Sequence, residues 1–337
     1  MKRKVIIFLV CVSMTLLLHI GFALARGSSG VTGGAFVTGD VGTRPMGMGG
    51  AFVAMPGDAN SIMWNPAGLG TLTKLELTTM YANLYSLDYI SQSFIGYVIP
   101  VKGFGAQGIS WSHIGVDFES SGSSWAENTF IYSYARKLMK NSFFGFNLKY
   151  YKVSSDFSGG KANGYGLDAG YLLYVNHQLT FGVYIRDLFS RLSWDTGHKE
   201  RLNLAYKLGI GYKPCEKIAV ALDLDGMQTN LLAGFHIGGE YWFLFSKGLK
   251  KVGVNRRRRS MGFRGRYFPQ TGGVQAAPTF EKVGVRAGIE KELLSDKRTK
   301  ISLGLSAVFN YWQFDYAYLI DDDALGDTHR FSFGIRF

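Results

Sequence analysis

The residues able to do chemistry are few and scattered. Beyond the first twenty-five positions the histidines are His113, His177, His198, His236 and His329, spread over different predicted strands and turns. A hydrolase needs a nucleophile, a base and an orienting group converging on one point, and nothing in this spacing brings them together. His236 and Glu240 share one face of a predicted strand but stand about 13 Å apart by strand rise, too far to ligate one metal ion directly. Cys215 is the one cysteine left if Cys11 is lost with the leader, so neither a disulfide nor a CxxC set can form. Gly47-Met48-Gly49-Gly50 has the glycine density of a phosphate loop, yet no Lys-Ser or Lys-Thr follows and no βαβ unit surrounds it. The sequence therefore argues against an enzyme and implies no cofactor and no metal. Its ionic residues have another pattern. Asp168, Asp223, Asp225, Glu240, Glu290 and Asp315 alternate with apolar neighbours, as do Lys149, Arg186, Lys207, Lys217, Arg286, Arg330 and Arg336. They either pair with one another inside the fold or line a route for cargo.

The elements that must hold them are strands. The 337 residues are 47% hydrophobic, 15% aromatic and only 18% charged, with 44 glycines and 7 prolines. That excludes a disordered chain, and a mean hydropathy of +0.03 excludes a bundle of membrane helices. A membrane barrel, alternating apolar and polar residues, averages near zero. At the C-terminus Phe331, Phe333, Ile335 and Phe337 share one face and Arg330, Ser332, Gly334 and Arg336 the other. Trp312, Phe314, Tyr316, Tyr318 and Ile320 alternate likewise with Gln313, Asp315, Ala317 and Leu319. A two-layer soluble sandwich seldom fills a whole inner face with aromatic rings. The terminal Phe337 after alternating aromatics also resembles the signal by which barrel-assembly machinery takes up bacterial outer-membrane proteins.

Runs bounded by turn residues place strands near 75–85, 88–99, 104–114, 127–138, 142–153, 163–175 and 178–186, then near 200–213, 217–226, 230–245, 281–291, 298–308, 311–320 and 328–337. The expectation is an all-β fold, a transmembrane antiparallel up-and-down barrel of about fourteen strands over 75–337. Longer loops are expected at 116–126, 154–162, 187–199 and 321–327 on the side away from the termini, with short turns at 100–103, 139–141, 176–177 and 213–216 on the other. One connection, 246–280, is long where a short turn belongs. It carries nine basic and no acidic residues, among them Arg256, Arg257, Arg258 and Arg259. An exported barrel meets little nucleic acid, which leaves anionic lipid, an acidic partner or a simply solvated insertion.

Lys2, Arg3 and Lys4 precede an apolar run that ends in Ala23-Leu24-Ala25, so 1–25 reads as a secretory signal cleaved before Arg26, with an uncleaved anchor as the other reading. Between it and the first strand, 26–74 does not alternate. A wide barrel leaves an aqueous pore unless something fills it, and this compact, glycine-rich segment suits a hatch or plug in the lumen. Its marked residues are Arg44, Pro45, Gly47, Gly49, Gly50, Asp58, Asn60, Trp64, Asn65 and Pro66.

The run from Arg44 to Ala54 and the stretch from Asp58-Ala59-Asn60 through Asn65-Pro66-Ala67-Gly68-Leu69 resemble the N-terminal motif of PorV/PorQ-type proteins. The C-terminal part agrees in Arg286-Ala287-Gly288, Leu303-Gly304-Leu305, Asp315-Tyr316-Ala317-Tyr318, Leu325-Gly326 and Thr328-His329-Arg330-Phe331-Ser332. The resemblance implies the FadL-like long-chain fatty-acid transporter superfamily and a fourteen-strand barrel with an N-terminal hatch in the bacterial outer membrane. It implies two functions: hatch-gated passage of a hydrophobic or amphipathic small molecule, or a docking platform for exported proteins in a secretion complex. The implied partners are outer-membrane lipid, the assembly machinery, and either hydrophobic small molecules or exported proteins.

Overall fold

The computed structural model describes residues 40–118, 122–228, 230–245, 280–293, 298–321 and 326–337. The expected signal over 1–25 and the basic run at 256–259 lie outside the described residues. The strands are β1 (Glu76–Asn83), β2 (Ile90–Val101), β3 (Gly105–Phe118), β4 (Ser123–Met139), β5 (Ser142–Ser155), β6 (Ala162–Tyr174), β7 (Leu179–Trp194), β8 (Lys199–Glu200), β9 (Ala205–Cys215), β10 (Ile218–Met227), β11 (Asn230–Leu244), β12 (Phe280–Glu292), β13 (Thr299–Phe309), β14 (Trp312–Asp321) and β15 (Thr328–Arg336). Fourteen of them form an antiparallel ring closed by β1 on β15 and by β6 on β7, and the two-residue β8 pairs only with the end of β7. Closure leaves the ring without an edge strand, as a sheet in hydrocarbon requires.

The period-two pattern sorts the side chains by face. Outward positions carry Ile301, Leu305 and Phe331 at 45%, 54% and 56% exposure, whereas Asp168, Asp223 and Arg286 inside are at 0%, 0% and 4%. This inverts a soluble protein: apolar rings face the surroundings and ions face the interior.

Strands β3, β4 and β7 run further than the sequence pattern suggests on the side away from the termini, the far end, whereas the strand expected from about 200 begins only at Ala205 as β9, with Leu202 buried ahead of it against Tyr151, Val153 and Leu192. Val116, Asp117 and Phe118 pair with Trp125, Ser124 and Ser123, so the loop expected at 116–126 is mostly hairpin. Likewise β7 continues to Trp194 through much of the loop expected at 187–199. Small polar residues there hide the alternation from sequence, while ladder hydrogen bonds hold the backbone extended. Lys217, expected on the inward face, sits instead in the exposed β9–β10 turn.

The wall has one irregularity. Leu167 pairs with Phe189 and Ala169 with Ile185, so Arg186, Asp187 and Leu188 stand opposite Asp168 alone. Asp187 adopts a φ of 57° there, and past Arg186 strand β7 leaves β9. Ser190 Oγ bridges this gap, accepting from Leu202 N–H at 2.9 Å and donating to its carbonyl at 3.2 Å.

Candidate functional site: the N-terminal segment and the cavity above it

Residues 40–74 lie within the ring and touch all fourteen of its strands. Their local structure follows from sequence. A short helix α1 (Thr43–Met46) gives way at Gly49 and Gly50, whose φ values of 63° and 75° favour residues without a Cβ. A second turn of helix, α2 (Ser61–Trp64), leads into a 3₁₀ turn over Pro66–Thr71. Asn65 caps that turn by accepting from Ala67 N–H, and Pro66 takes the first position, where no N–H is needed.

An ion-pair chain ties the segment to the wall. Arg44 lies bidentate on Glu240, its Nε and Nη2 donating at 2.8 and 2.9 Å, while Nη1 donates to Asp58 at 2.7 Å. Arg286 donates to the same Glu240 at 2.8 Å and to Asp315 at 3.2 Å. Two residues of the N-terminal motif thus meet three of the predicted inward charges, and all are buried or nearly so. Burial opposes the charge on Arg44, but Glu240 and Asp58 outweigh it and hold the guanidinium's proton affinity well above its ordinary value.

The other motif residues bind backbone. Asp223 accepts from Phe52 and Val53 N–H at 2.7 and 2.8 Å. The Asn65 amide donates to the carbonyls of Val53 and Tyr171, and Trp64 Nε1 to that of Val41. Asn60 N–H donates to Asp58. Pro45 is buried within α1, and its carbonyl accepts from Met48 and Gly50. Predicted inward residues also collect at the bulge, where Lys149 pairs with Asp168 at 2.6 Å and Asp187 at 2.7 Å. Tyr184 donates to Asp168 and Tyr151 to Asp187. The sequence reading missed Asp187, Tyr151 and Tyr184, since Asp187 was expected in a loop and the tyrosines carry no formal charge to mark them.

Glycines of the wall let the segment approach backbone to backbone. A Cβ on Gly145, Gly182, Gly238 or Gly288 would overlap main-chain atoms of Pro66, Val53, Met48 or Gly49. Gly47 and Gly304 face each other less tightly, a Cβ on either standing 3.2 Å from the other's Cα. At these positions the segment's main chain lies directly on that of the wall, with no side chain between them.

Toward the far end the lumen opens into a cavity of about 470 Å³, floored by Met46, Met63 and Trp64 of the segment. Its sides mix apolar groups such as Ile114 and Leu319 with ions. Lys207 stands 3.7 Å from Asp40 and over the Trp64 ring at 4.6 Å. Burial opposes ionisation of Asp40, but Lys207 and Arg186 outweigh it and hold its carboxyl below the usual range. His236 presents Nδ1 to the Gly49 carbonyl at 2.8 Å and Nε2 to Asp225 at 3.1 Å, the latter being its nearest carboxylate rather than Glu240. Arg330 is 6% exposed, and its Nη1 donates to Gln92 at 2.5 Å and to the Asp40 carbonyl at 3.1 Å. It forms no ion pair among the described residues, and its Nε has no partner.

The remaining predicted features lie outside the lumen. Phe331, Phe333, Ile335 and Phe337 form an outward row, in which Phe333 stacks on Trp312 at 5.0 Å. Cys215 is free and exposed.

Solved structures share this architecture. The Ralstonia pickettii toluene transporter TbuX is 14% identical, with a TM-score of 0.55 over 88% of this chain and 98% of that one. A Pseudomonas aeruginosa FadL homologue is 12% identical, with 0.55 over the same shares. The P. putida toluene transporter TodX is 10% identical, with 0.58, again over 88% and 98%. The likeness is one of fold, that of FadL-type transporters and channels. The sequence matches no protein-family model, and no curated protein matches it.

Proposed function

We propose that this chain is a FadL-like transport barrel of the bacterial outer membrane, of PorV/PorQ type, exported by a signal over 1–25. Residues 26–74 act as its hatch, and its cargo is a small amphipathic molecule received from the far end. One observation carries the reading: the cavity is floored by the N-terminal segment and joins apolar walls to a buried guanidinium that lacks a carboxylate. TbuX and TodX, by name toluene transporters, have hydrocarbon cargo. A bare hydrocarbon would gain little beside Arg330, Lys207 and Asp40, since it would strip water from charges and give nothing back. A molecule with an apolar body and one anionic group would satisfy both parts of the site, its anion pairing with the Arg330 guanidinium where that lines the cavity. The volume lies within the range for small-ligand sites.

Purification in mild detergent followed by native mass spectrometry tests this. The expected result is a retained small amphiphile. In Arg330→Met, loss of a charge-assisted hydrogen bond should weaken binding by about tenfold or more, read by fluorescence titration of Trp64 in the cavity floor. An empty cavity together with a stoichiometric exported protein would sink transport and favour a docking platform, a reading supported by the close seating of the segment.

A further inference from the structure

The end of the barrel where the chain enters β1 and leaves β15 carries exposed bases without partners. Lys74 precedes β1, Lys102 lies in the β2–β3 turn, Arg136, Lys137 and Lys140 at the β4–β5 turn, and Lys217 in the β9–β10 turn. None forms an ion pair among the described residues, and the acids near them at this end include exposed Glu216 and half-buried Glu281. Lys137 does lie 5.9 Å from the Phe143 ring. The far end mixes signs instead: exposed Lys152, Lys161, Arg191, Lys199 and Arg201 stand among exposed Asp88, Asp117, Asp156 and Asp195, and Lys300 pairs with Glu290 and Glu292. Solvated lysines are common, but these stand beside apolar groups that a water-facing turn would not keep bare. Phe104, Leu138 and Met139 are 53%, 62% and 67% exposed.

We propose that this rim binds anionic phospholipid headgroups of the leaflet at that end of the barrel. Long basic side chains lay their methylene stems along apolar surface and hold the charge at a phosphate, while the adjacent Phe, Leu and Met enter the acyl region. The distribution favours a membrane over a protein. Lys74, Lys102, Arg136, Lys137 and Lys140 follow one arc of the ring from β1 to β5, with Lys217 beyond it, and next to them the wall turns the exposed apolar side chains of Ile99, Tyr132 and Phe144 outward, so the bases continue an apolar surface that suits a membrane rather than an acidic protein. The inference rests on the membrane-spanning reading and goes beyond the cargo.

The test titrates detergent-solubilised full-length protein with phosphatidylglycerol and, separately, phosphatidylcholine of equal chain length, with native mass spectrometry as readout. Phosphatidylglycerol should be retained about tenfold over phosphatidylcholine. Joint substitution of Lys102→Gln, Arg136→Gln, Lys137→Gln, Lys140→Gln and Lys217→Gln should abolish the preference, whereas Lys161→Gln with Lys199→Gln at the far end should keep it. Heat-modifiable migration checks that each variant is folded. Equal retention of both lipids by the wild type, a preference surviving the joint substitution, or competition by polyglutamate as strong as that by phosphatidylglycerol would overturn the inference. Failure to insert into phosphatidylcholine vesicles at all would instead overturn the membrane reading beneath it.

Discussion

Arg44→Met is expected to loosen the N-terminal segment and turn a quiet barrel into a conducting one. The substitution keeps an apolar stem of similar length but leaves Glu240 with Arg286 alone and Asp58 without an ion-pair partner among the described residues. Removing one partner from a buried ion pair costs about 3–5 kcal/mol, because the surviving charge has lost its solvation without compensation. A loss of that size is a large part of what holds a 35-residue segment in place. Both carboxylates then regain stability by admitting water, and water at this level means a continuous path past the segment. Planar-bilayer recordings should show frequent openings in the variant, with the wild type nearly silent. The double variant Arg44→Met/Asp58→Asn should recover part of the stability, since it removes one orphaned charge. Silent bilayers and an unchanged melting temperature for Arg44→Met would show that the ion chain does not retain the segment.

The wall was legible in the sequence because its cause is local. Each strand needs only alternating side chains, and that signal survives in Leu208 to Tyr212 or Ile301 to Ala307 without knowledge of any neighbour, although the same alternation at Leu202 and Leu204 lies ahead of the strand that forms. Fourteen strands could be placed for this reason, with errors confined to ends such as Ser123 and Trp194, where small polar residues weaken the alternation. The motif in the N-terminal segment was visible as unusual composition, and Arg44 and Asp58 could be marked. Their partners could not. Arg44 reaches Glu240 across 196 positions, and which inward carboxylate it meets depends on barrel register and on how deep the segment sits. The same holds for Arg330, whose lack of a carboxylate is a property of packing that no count of charges discloses. His236 and Glu240 show the converse, since they were correctly placed on one strand face, yet each answers to a different group of the segment.

The glycines join these two levels, and they support the second large effect. Several inward positions of the wall are glycine, which sequence shows only as a small residue on the polar face. In the fold they are where the segment's own backbone lies against the strands. Gly288→Val is therefore expected to displace the segment while sparing the wall. Valine suits a strand, and Gly288 pairs with Gly238 and Ser302 in unbroken ladders, so the barrel should still close and show heat-modifiable migration. Its side chain would occupy the place of the Met48 carbonyl and the Gly49 amide, backbone that cannot rotate aside as a flexible side chain could. Overpacking of this kind typically costs about 1–3 kcal/mol, and here the cost falls on the seating of 40–74, including the His236 contact to Gly49. Protease should cut the variant near Gly49, and bilayer conductance should rise as in Arg44→Met. Gly239→Ala is the matched control, one position from Gly238 on the outward face, where a Cβ meets nothing nearer than 3.9 Å. It should remain closed and protected. If Gly288→Val were equally closed, the segment would have room to shift within the ring, and the close backbone seating could not be what seals the lumen.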